Sequence, residues 1–332
     1  MRLMKAIVYR NYGSPDVLKC EEIEKPTPRD DQVLIRVRAA SANPIDCGLM
    51  KGKPYSGRIA VRLLMPKLKI PGRDVAGEVE AVGRNVTRFK PGDAVFGTCI
   101  GTFAEYACAA ERALVLKPEG LTFEQAASVP LAALTALQGL RDKGRIQTGQ
   151  KVLINGAAGG VGTFAVQLAK SFGADVTGVC STSNVEMVRA IGADRVVDYT
   201  REDFTEGSQR YDLILNCVAN RPLSSLRRVL KPEGVCVVVG APRTTWMLGL
   251  LAYMFKPLVL SMFMSQKFVL LGAKRSKEDL TFLGELIESG KVTPVIDSLY
   301  SLSEAPEAIR YLEKGHARGK VVITFGGDGR LR

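Results

Sequence analysis

Residues 151–174, KVLINGAAGGVGTFAVQLAKSFGA, constrain the fold of this chain more than any other stretch. A mostly apolar run at 152–155 leads into small residues from Gly156 to Gly162. An apolar pattern then recurs at helical spacing, at Val161, Phe164, Ala165, Leu168 and Phe172. A strand, a glycine turn and a helix in that order aim free backbone N–H groups and a positive helix end at a phosphate. Measured against G-x-G-x-x-G, Ala157 takes the first slot and Gly159 and Gly162 the other two. A bare glycine pattern marks an ordinary turn in most chains. With these flanks it reads as a dinucleotide site, formed by Ala157, Gly159, Gly160, Val161 and Gly162.

The chain continues that pattern. Strands are predicted at 175–180, 195–197, 212–217, 235–239 and 268–271, with helices at 184–191 and 222–230 between them. Strands separated by helices imply a doubly wound parallel sheet, and the nearly all-valine run at 235–239 suits a strand buried on both faces. The first 125 residues read differently. Strands at 4–9, 18–24 and 32–40, a loop at 41–46, and glycines at 72, 77, 83, 92 and 97 punctuating short strands suggest a compact barrel-like domain. From Thr122 the period becomes helical, with Thr122 an N-cap, Glu124 or Gln125 near the capping-box slot, and Pro130 dividing two helices. A short helix broken at Pro66 is expected over 58–70, and further helices at 277–289 and 303–314.

Composition removes several function classes. With 332 residues the prior is roughly two domains. Seven cysteines without a C-x-x-C pair suggest reduced thiols in a cytoplasmic setting. The alternating N-terminus has no long apolar core, so no signal peptide is expected. The single histidine, His316, excludes a multi-histidine metal site and permits a serine–histidine triad only around itself. The net charge of +12 is dispersed and lacks interleaved aromatics, so no nucleic-acid partner is expected. The most hydrophobic stretch, 245–264, is interrupted by Lys256-Pro257 and reads as buried or interface helices, not a transmembrane span. An apolar lid suited to a lipophilic small-molecule substrate is its sharper alternative.

Several blocks together resemble the medium-chain dehydrogenase/reductase superfamily: Asn43-Pro44-Ile45-Asp46, PGRDVAGEVEAVGRNVTRFKPGDAVFG (71–97), GTFAEYACAAERALVLKP (101–118), AALTAL (132–137), INGAAGGVG (154–162) and the C-terminal segment 290–324. More narrowly the chain is similar to the zinc-independent, quinone oxidoreductase-like branch. The resemblance implies an α/β protein with a GroES-like β-barrel catalytic domain over 1–124 and 270–332, a Rossmann domain over 125–269, and a homodimer. Zinc-dependent relatives carry a cysteine where Asn43 falls and a His-Glu pair where Arg73-Asp74 falls. Those slots here cannot supply a catalytic zinc's three ligands, so no metal is expected.

An NAD site places an acid about 20 residues past the glycines. That position falls at 179–183, Val-Cys-Ser-Thr-Ser, and no carboxylate follows until Glu186. The hydroxyls of Ser181 and Thr182 suit a 2′-phosphate, which favours NADPH. The lysine that clamps this phosphate in relatives is replaced by Asn184 or Val185, with Arg189 either a substitute or, on its helix, a solvent-facing residue. Asn216, Val218 and Gly240 sit at C-terminal ends of strands, where open α/β sheets bind ligands. The resemblance adds Tyr199 near the adenosine phosphate, Thr135 and Leu271-Gly272-Ala273 beside the nicotinamide, and Arg318 and Lys320 in a tail approaching the cofactor.

A metal-free site implies hydride transfer from NADPH to quinones or to alkenes and carbonyls activated by conjugation. Asn43 is the candidate for a carboxamide or substrate contact, or else a turn residue before Pro44. Asp46 is expected to hold the loop, and Tyr55 is the candidate proton donor. An enoyl-thioester reductase and a non-catalytic, crystallin-like NADPH-binding protein with RNA affinity are the alternatives.

Overall fold

A computed structural model of the chain describes residues 2–52, 69–218, 220–239 and 265–326. Tyr55, Gly240, nearly all of the expected helix at 58–70 and the whole hydrophobic segment 245–264 lie outside the described residues. The chain divides into two compact units. One comprises Met1–Leu131, Arg275–Glu288 and Pro294–Arg332, the other Ala132–Lys274 and Ser289–Thr293.

The second unit is built on a six-stranded parallel sheet. Its strands are β8 (Lys151–Asn155), β9 (Asp175–Cys180), β10 (Arg195–Asp198), β11 (Tyr211–Asn216), β12 (Leu230–Val238) and β13 (Lys267–Leu270), in the order β10-β9-β8-β11-β12-β13. Near-continuous apolar runs such as 152–154 and 213–215 are fully buried, as strands covered on both faces require. Between β8 and β11 the order reverses direction, and the C-terminal residues Asn155 and Asn216 are register partners there. Open α/β sheets bind ligands at this kind of switch point. Helices over Gly160–Ser171, Val185–Ala190 and Leu223–Val229 make the crossovers.

The first unit holds a seven-stranded sheet. Its organiser is β3 (Gln32–Ala42), which pairs along one side with β4 (Asp74–Val82). Along its other side it meets first Tyr106–Ala110 and then β15 (Lys320–Thr324). Register shifts at Leu34/Ile35 and Val37/Ala39 bend β3 so that it can serve both partners. The C-terminal strand β15 is thereby laid antiparallel against residues 39–42.

Thr122 caps the helix Phe123–Ser128 with Gln125 closing the capping box, and the next helix starts at Pro130, as the sequence predicts. The expected loop at 41–46 is instead the end of β3 followed by helix α1 (Pro44–Met50). Asn43 at the N-cap and Pro44 at the first helical position carry that signal. Among the described residues no helix is long and apolar enough to cross a membrane.

Candidate active site

The glycine turn is shaped by backbone contacts. Gly156 has φ +86°, and a Cβ on Gly162 would lie 2.0 Å from the Gly156 carbonyl oxygen and 2.8 Å from the Ala157 backbone. Gly162 is therefore required for the helix Gly160–Ser171 to start so close to β8. Gly159 differs, since a Cβ there meets only the Gly156 oxygen at 3.5 Å. The helix bonds begin with Thr163 N–H donating to Gly159 O. That leaves the N–H groups of Gly160, Val161 and Gly162 without intrahelical acceptors, pointing where a diphosphate would sit. A recess of about 430 Å³ lined by Gln167, Lys170, Gly192 and Lys291 opens at the other end of the same helix, whose polarity disfavours an anion.

At the switch point, Asn155 Nδ2 donates to Asn216 Oδ1 (2.8 Å), Asn220 Oδ1 (3.0 Å) and the Val218 carbonyl (3.2 Å). This bond set joins the ends of β8 and β11 and fixes the segment carrying Val218. The segment after β13 is fixed similarly. Gln138 donates to the Lys274 carbonyl and accepts from its N–H, which ties Leu271-Gly272-Ala273 to the helix Pro130–Gln138 that carries Thr135. Ala157, the glycines, Thr135, Asn216, Val218 and residues 271–273 all belong to the second unit.

At the end of β9 the structure adds a carboxylate that the sequence count passes over. Asp198 ends β10, the neighbour of β9, and so reaches Thr182 from the adjacent strand. Asp198 accepts from Thr182 Oγ1 (2.5 Å), Thr200 Oγ1 (2.7 Å) and Thr200 N (3.0 Å), and Arg201 Nε lies 3.4 Å away. The Thr182 bond, then those from Thr200, hold its carboxyl below the usual carboxylate range. Three protein donors thus occupy most of the acceptor capacity of Asp198. Ser181 accepts from Asn184 Nδ2, and Tyr199 is exposed beside this turn. Arg189 is paired with Glu186 and Arg201 with Asp198, which puts Arg201 beside the carboxylate that Thr182 bonds.

In the first unit, Asn43 and Lys320 meet in a buried polar cluster centred on Asp74. Asp74 Oδ2 accepts from Ser41 Oγ (2.7 Å), Asn43 Nδ2 (3.0 Å) and Lys320 Nζ (3.4 Å), and Oδ1 accepts from Leu131 N (3.0 Å). Lys320 Nζ also donates to Asn43 Oδ1 at 2.6 Å. β15 lies beside the end of β3, and β3 beside β4, so the sheet register brings the three residues together. Burial lowers the Lys320 pKa against the pull of Asp74. Arg318 is exposed and outside this cluster. Burial pushes the Cys47 thiol up to about 12, so it stays protonated at neutral pH. Among the described residues no three His, Cys, Asp or Glu side chains gather as a metal centre needs.

Asp46 accepts from the Asn43 N–H at 2.9 Å, as expected for a residue holding this turn, and burial pushes its carboxyl up to about 7. The unfolded chain releases this proton in the ordinary carboxylate range, whereas the folded state keeps it to about pH 7. Between those limits the folded state binds more protons, so this group makes stability fall as pH rises. Asp46→Asn, which keeps an acceptor for Asn43, is expected to remove that slope, with a gain bounded at about 4 kcal/mol above neutrality. Denaturation midpoints that follow the wild-type pH profile would refute the assignment.

Two family profiles match the chain. One, described as an alcohol dehydrogenase GroES-like domain, covers residues 29–119, and one described as zinc-binding dehydrogenase covers residues 191–323. A chloroplast envelope quinone oxidoreductase homolog of Arabidopsis thaliana is 34% identical, over 97% of this chain and 98% of the relative. The chain belongs to the medium-chain dehydrogenase/reductase superfamily, in its quinone oxidoreductase-like branch. A second superfamily relative, an Arabidopsis NADPH-dependent alkenal/one oxidoreductase, is 36% identical over 96% of this chain and 79% of its own length. The solved quinone oxidoreductase of Coxiella burnetii superposes with a TM-score of 0.87 at 34% identity, over 98% of this chain and 100% of the other. This member of the superfamily has its GroES-like fold in the first unit and the Rossmann-like parallel sheet in the second.

Proposed function

We propose that this protein is a zinc-independent, NADPH-dependent oxidoreductase that reduces quinones, or alkenes and carbonyls activated by conjugation. The observation that carries the metal-free reading is the Lys320 ammonium seated on Asn43 and Asp74. These slots match ligand positions of zinc-dependent relatives. Here a carboxamide oxygen is already taken by a cation, and the one carboxylate is saturated with donors. A dication placed there would be repelled by the ammonium and would find no imidazole or thiolate. Despite the profile's description, the residues do not fit zinc.

The turn at 156–162 supports a dinucleotide by its free N–H groups, and the Ser181 hydroxyl with Arg201 supports a 2′-phosphate. Bound NADPH supplies the hydride. Without a Lewis acid, the chain must polarise its substrate with hydrogen-bond donors, which suits acceptors whose charge spreads over a conjugated oxygen. Alcohol oxidation suits it poorly, because nothing lowers the alcohol pKa. The homodimer, the lipophilic substrate, a proton donor at Tyr55 and the cytoplasmic setting belong to the same reading.

A screen of NADPH oxidation across quinones, enals, enones and enoyl thioesters tests it, alongside elemental analysis for zinc. Turnover of a quinone or enone without stoichiometric zinc is the expected result. Turnover confined to enoyl thioesters would replace it with the thioester reductase reading, and cofactor binding without turnover with the non-catalytic one. Arg201→Ala is expected to weaken NADPH about tenfold while leaving NADH affinity unchanged, as one lost charge-assisted bond requires. Equal weakening of both in a fluorescence titration would remove Arg201 from the phosphate site.

A further inference from the structure

The six-stranded sheet of the second unit divides a dinucleotide cleft into two halves. The 156–162 turn and the Ser181 corner follow the carboxyl ends of β8 and β9, on one side of the switch point. A dinucleotide lying across that point carries its second mononucleotide over the ends of β11, β12 and β13. There the chain runs on from β13 as Leu271, Gly272, Ala273 and Lys274. Leu271 N–H still donates to the Val238 carbonyl at 3.0 Å, at the end of the β12–β13 pairing. Gly272 and Ala273 are exposed, belong to no helix or strand, and have no hydrogen-bond partner among the described residues.

Lys274 is the next fixed point, and the last residue before the chain passes into the first unit at Arg275. Gln138 Oε1 accepts from its N–H at 2.8 Å, and Gln138 Nε2 donates to its carbonyl at 2.9 Å. One donor and one acceptor leave the carboxamide a single orientation. Gln138 is 6% exposed, so water is a poor substitute for either bond. The helix end is also brought close. A Cβ on Gly139 would lie 2.8 Å from Leu215 Cδ1 and 3.3 Å from Leu271 Cδ2, so glycine there lets the end of the helix Pro130–Gln138 settle against β11 and Leu271.

We infer that Gln138 is a positioning residue for the nicotinamide half of the cofactor, holding the backbone of 271–274 as the ledge on which the ring is seated. The inference rests on the NADPH reading above. With Leu271 and Lys274 both fixed, only Gly272 and Ala273 are left to vary, and their backbone groups stay free for a ligand. A ledge shaped in advance lowers the ordering cost of binding and holds the ring in one pose. Gln138 acts through this backbone and not on a reacting atom.

The test compares NADPH with 2′-phospho-ADP-ribose, which is the same cofactor without its nicotinamide. Gln138→Met keeps the volume and loses both bonds. It is expected to weaken NADPH about tenfold, as two lost neutral hydrogen bonds require, and to leave the fragment unchanged. Gln138→Glu supplies the donor only when its carboxyl is protonated. Its NADPH-to-fragment affinity ratio is therefore expected to recover towards wild type as pH falls through the glutamate range, whereas the ratios of wild type and Gln138→Met stay flat. Taking the ratio cancels titration of the 2′-phosphate, which both ligands carry. Equal weakening of NADPH and fragment in a Gln138→Met variant that is folded by circular dichroism overturns the inference, as does a ratio unchanged from wild type. If Gln138→Met does not fold, Gln138→Glu decides, and a ratio without acid recovery overturns the inference. If wild type binds neither ligand, the NADPH reading fails and takes the inference with it. Should wild type show the Gln138-dependent ratio but turn over no quinone or enone, the ledge stands and the reductase reading fails.

Discussion

Replacing Lys320 with methionine is expected to destabilise the protein by about 3–5 kcal/mol, the range for breaking a buried ion pair from one side. Asp74 is fully buried and Lys320 is 3% exposed, so neither charge can be rehydrated when its partner is removed. The variant also strips Asn43 Oδ1 of its 2.6 Å donor. Ser41, Asn43 and the Leu131 N–H would still bond Asp74, but they carry no positive charge. Adding Asp74→Asn to Lys320→Met should recover part of the loss, and the double-mutant cycle measures the coupling. A loss below about 1 kcal/mol by denaturant unfolding would show that the pair is not a structural keystone.

Gly162→Ala is expected to cost both stability and cofactor affinity, whereas Gly159→Ala costs affinity alone. The new Cβ at 162 would sit 2.0 Å from the Gly156 oxygen, a backbone atom that cannot move without unseating the turn. Overpacking of this kind costs about 1–3 kcal/mol. Displacement of the N–H groups at 160–162 should weaken NADPH about a hundredfold, the loss of roughly two charge-assisted bonds. At 159 the added methyl has room on the protein side, its nearest neighbour being 3.5 Å away, so the obstruction is felt only by a ligand. Thermal melts and NADPH titrations of the two variants separate the cases. Equal melting temperatures for Gly162→Ala and wild type would refute the backbone-contact account.

The Rossmann-like half was legible because its signals are local. Apolar runs, a glycine turn and helical spacing each lie within a few residues, and the strand order follows from the handedness of the crossovers. The same locality makes a count along the chain incomplete at the turn after β9. Counting along the chain from Gly159 reaches Ser181 and Thr182, but Asp198 and Arg201 come from the next strand over. Asp198-Tyr199 was visible in the sequence, and only the β9–β10 pairing gives its carboxylate a place beside Thr182. At 41–46, Asn-Pro-x-Asp carried a helix-start signal that a loop reading passes over.

By itself the sequence determined the two kinds of architecture, the dinucleotide turn, and the absence of histidine and cysteine from the ligand slots at Asn43 and Arg73-Asp74. It could not determine what fills those slots. The ammonium that neutralises Asp74 comes from Lys320, at the far end of the chain, and arrives only because β15 is laid against the end of β3. Residue identity is local and can be read from sequence, whereas charge compensation depends on which groups long-range pairing brings together in a medium that screens poorly.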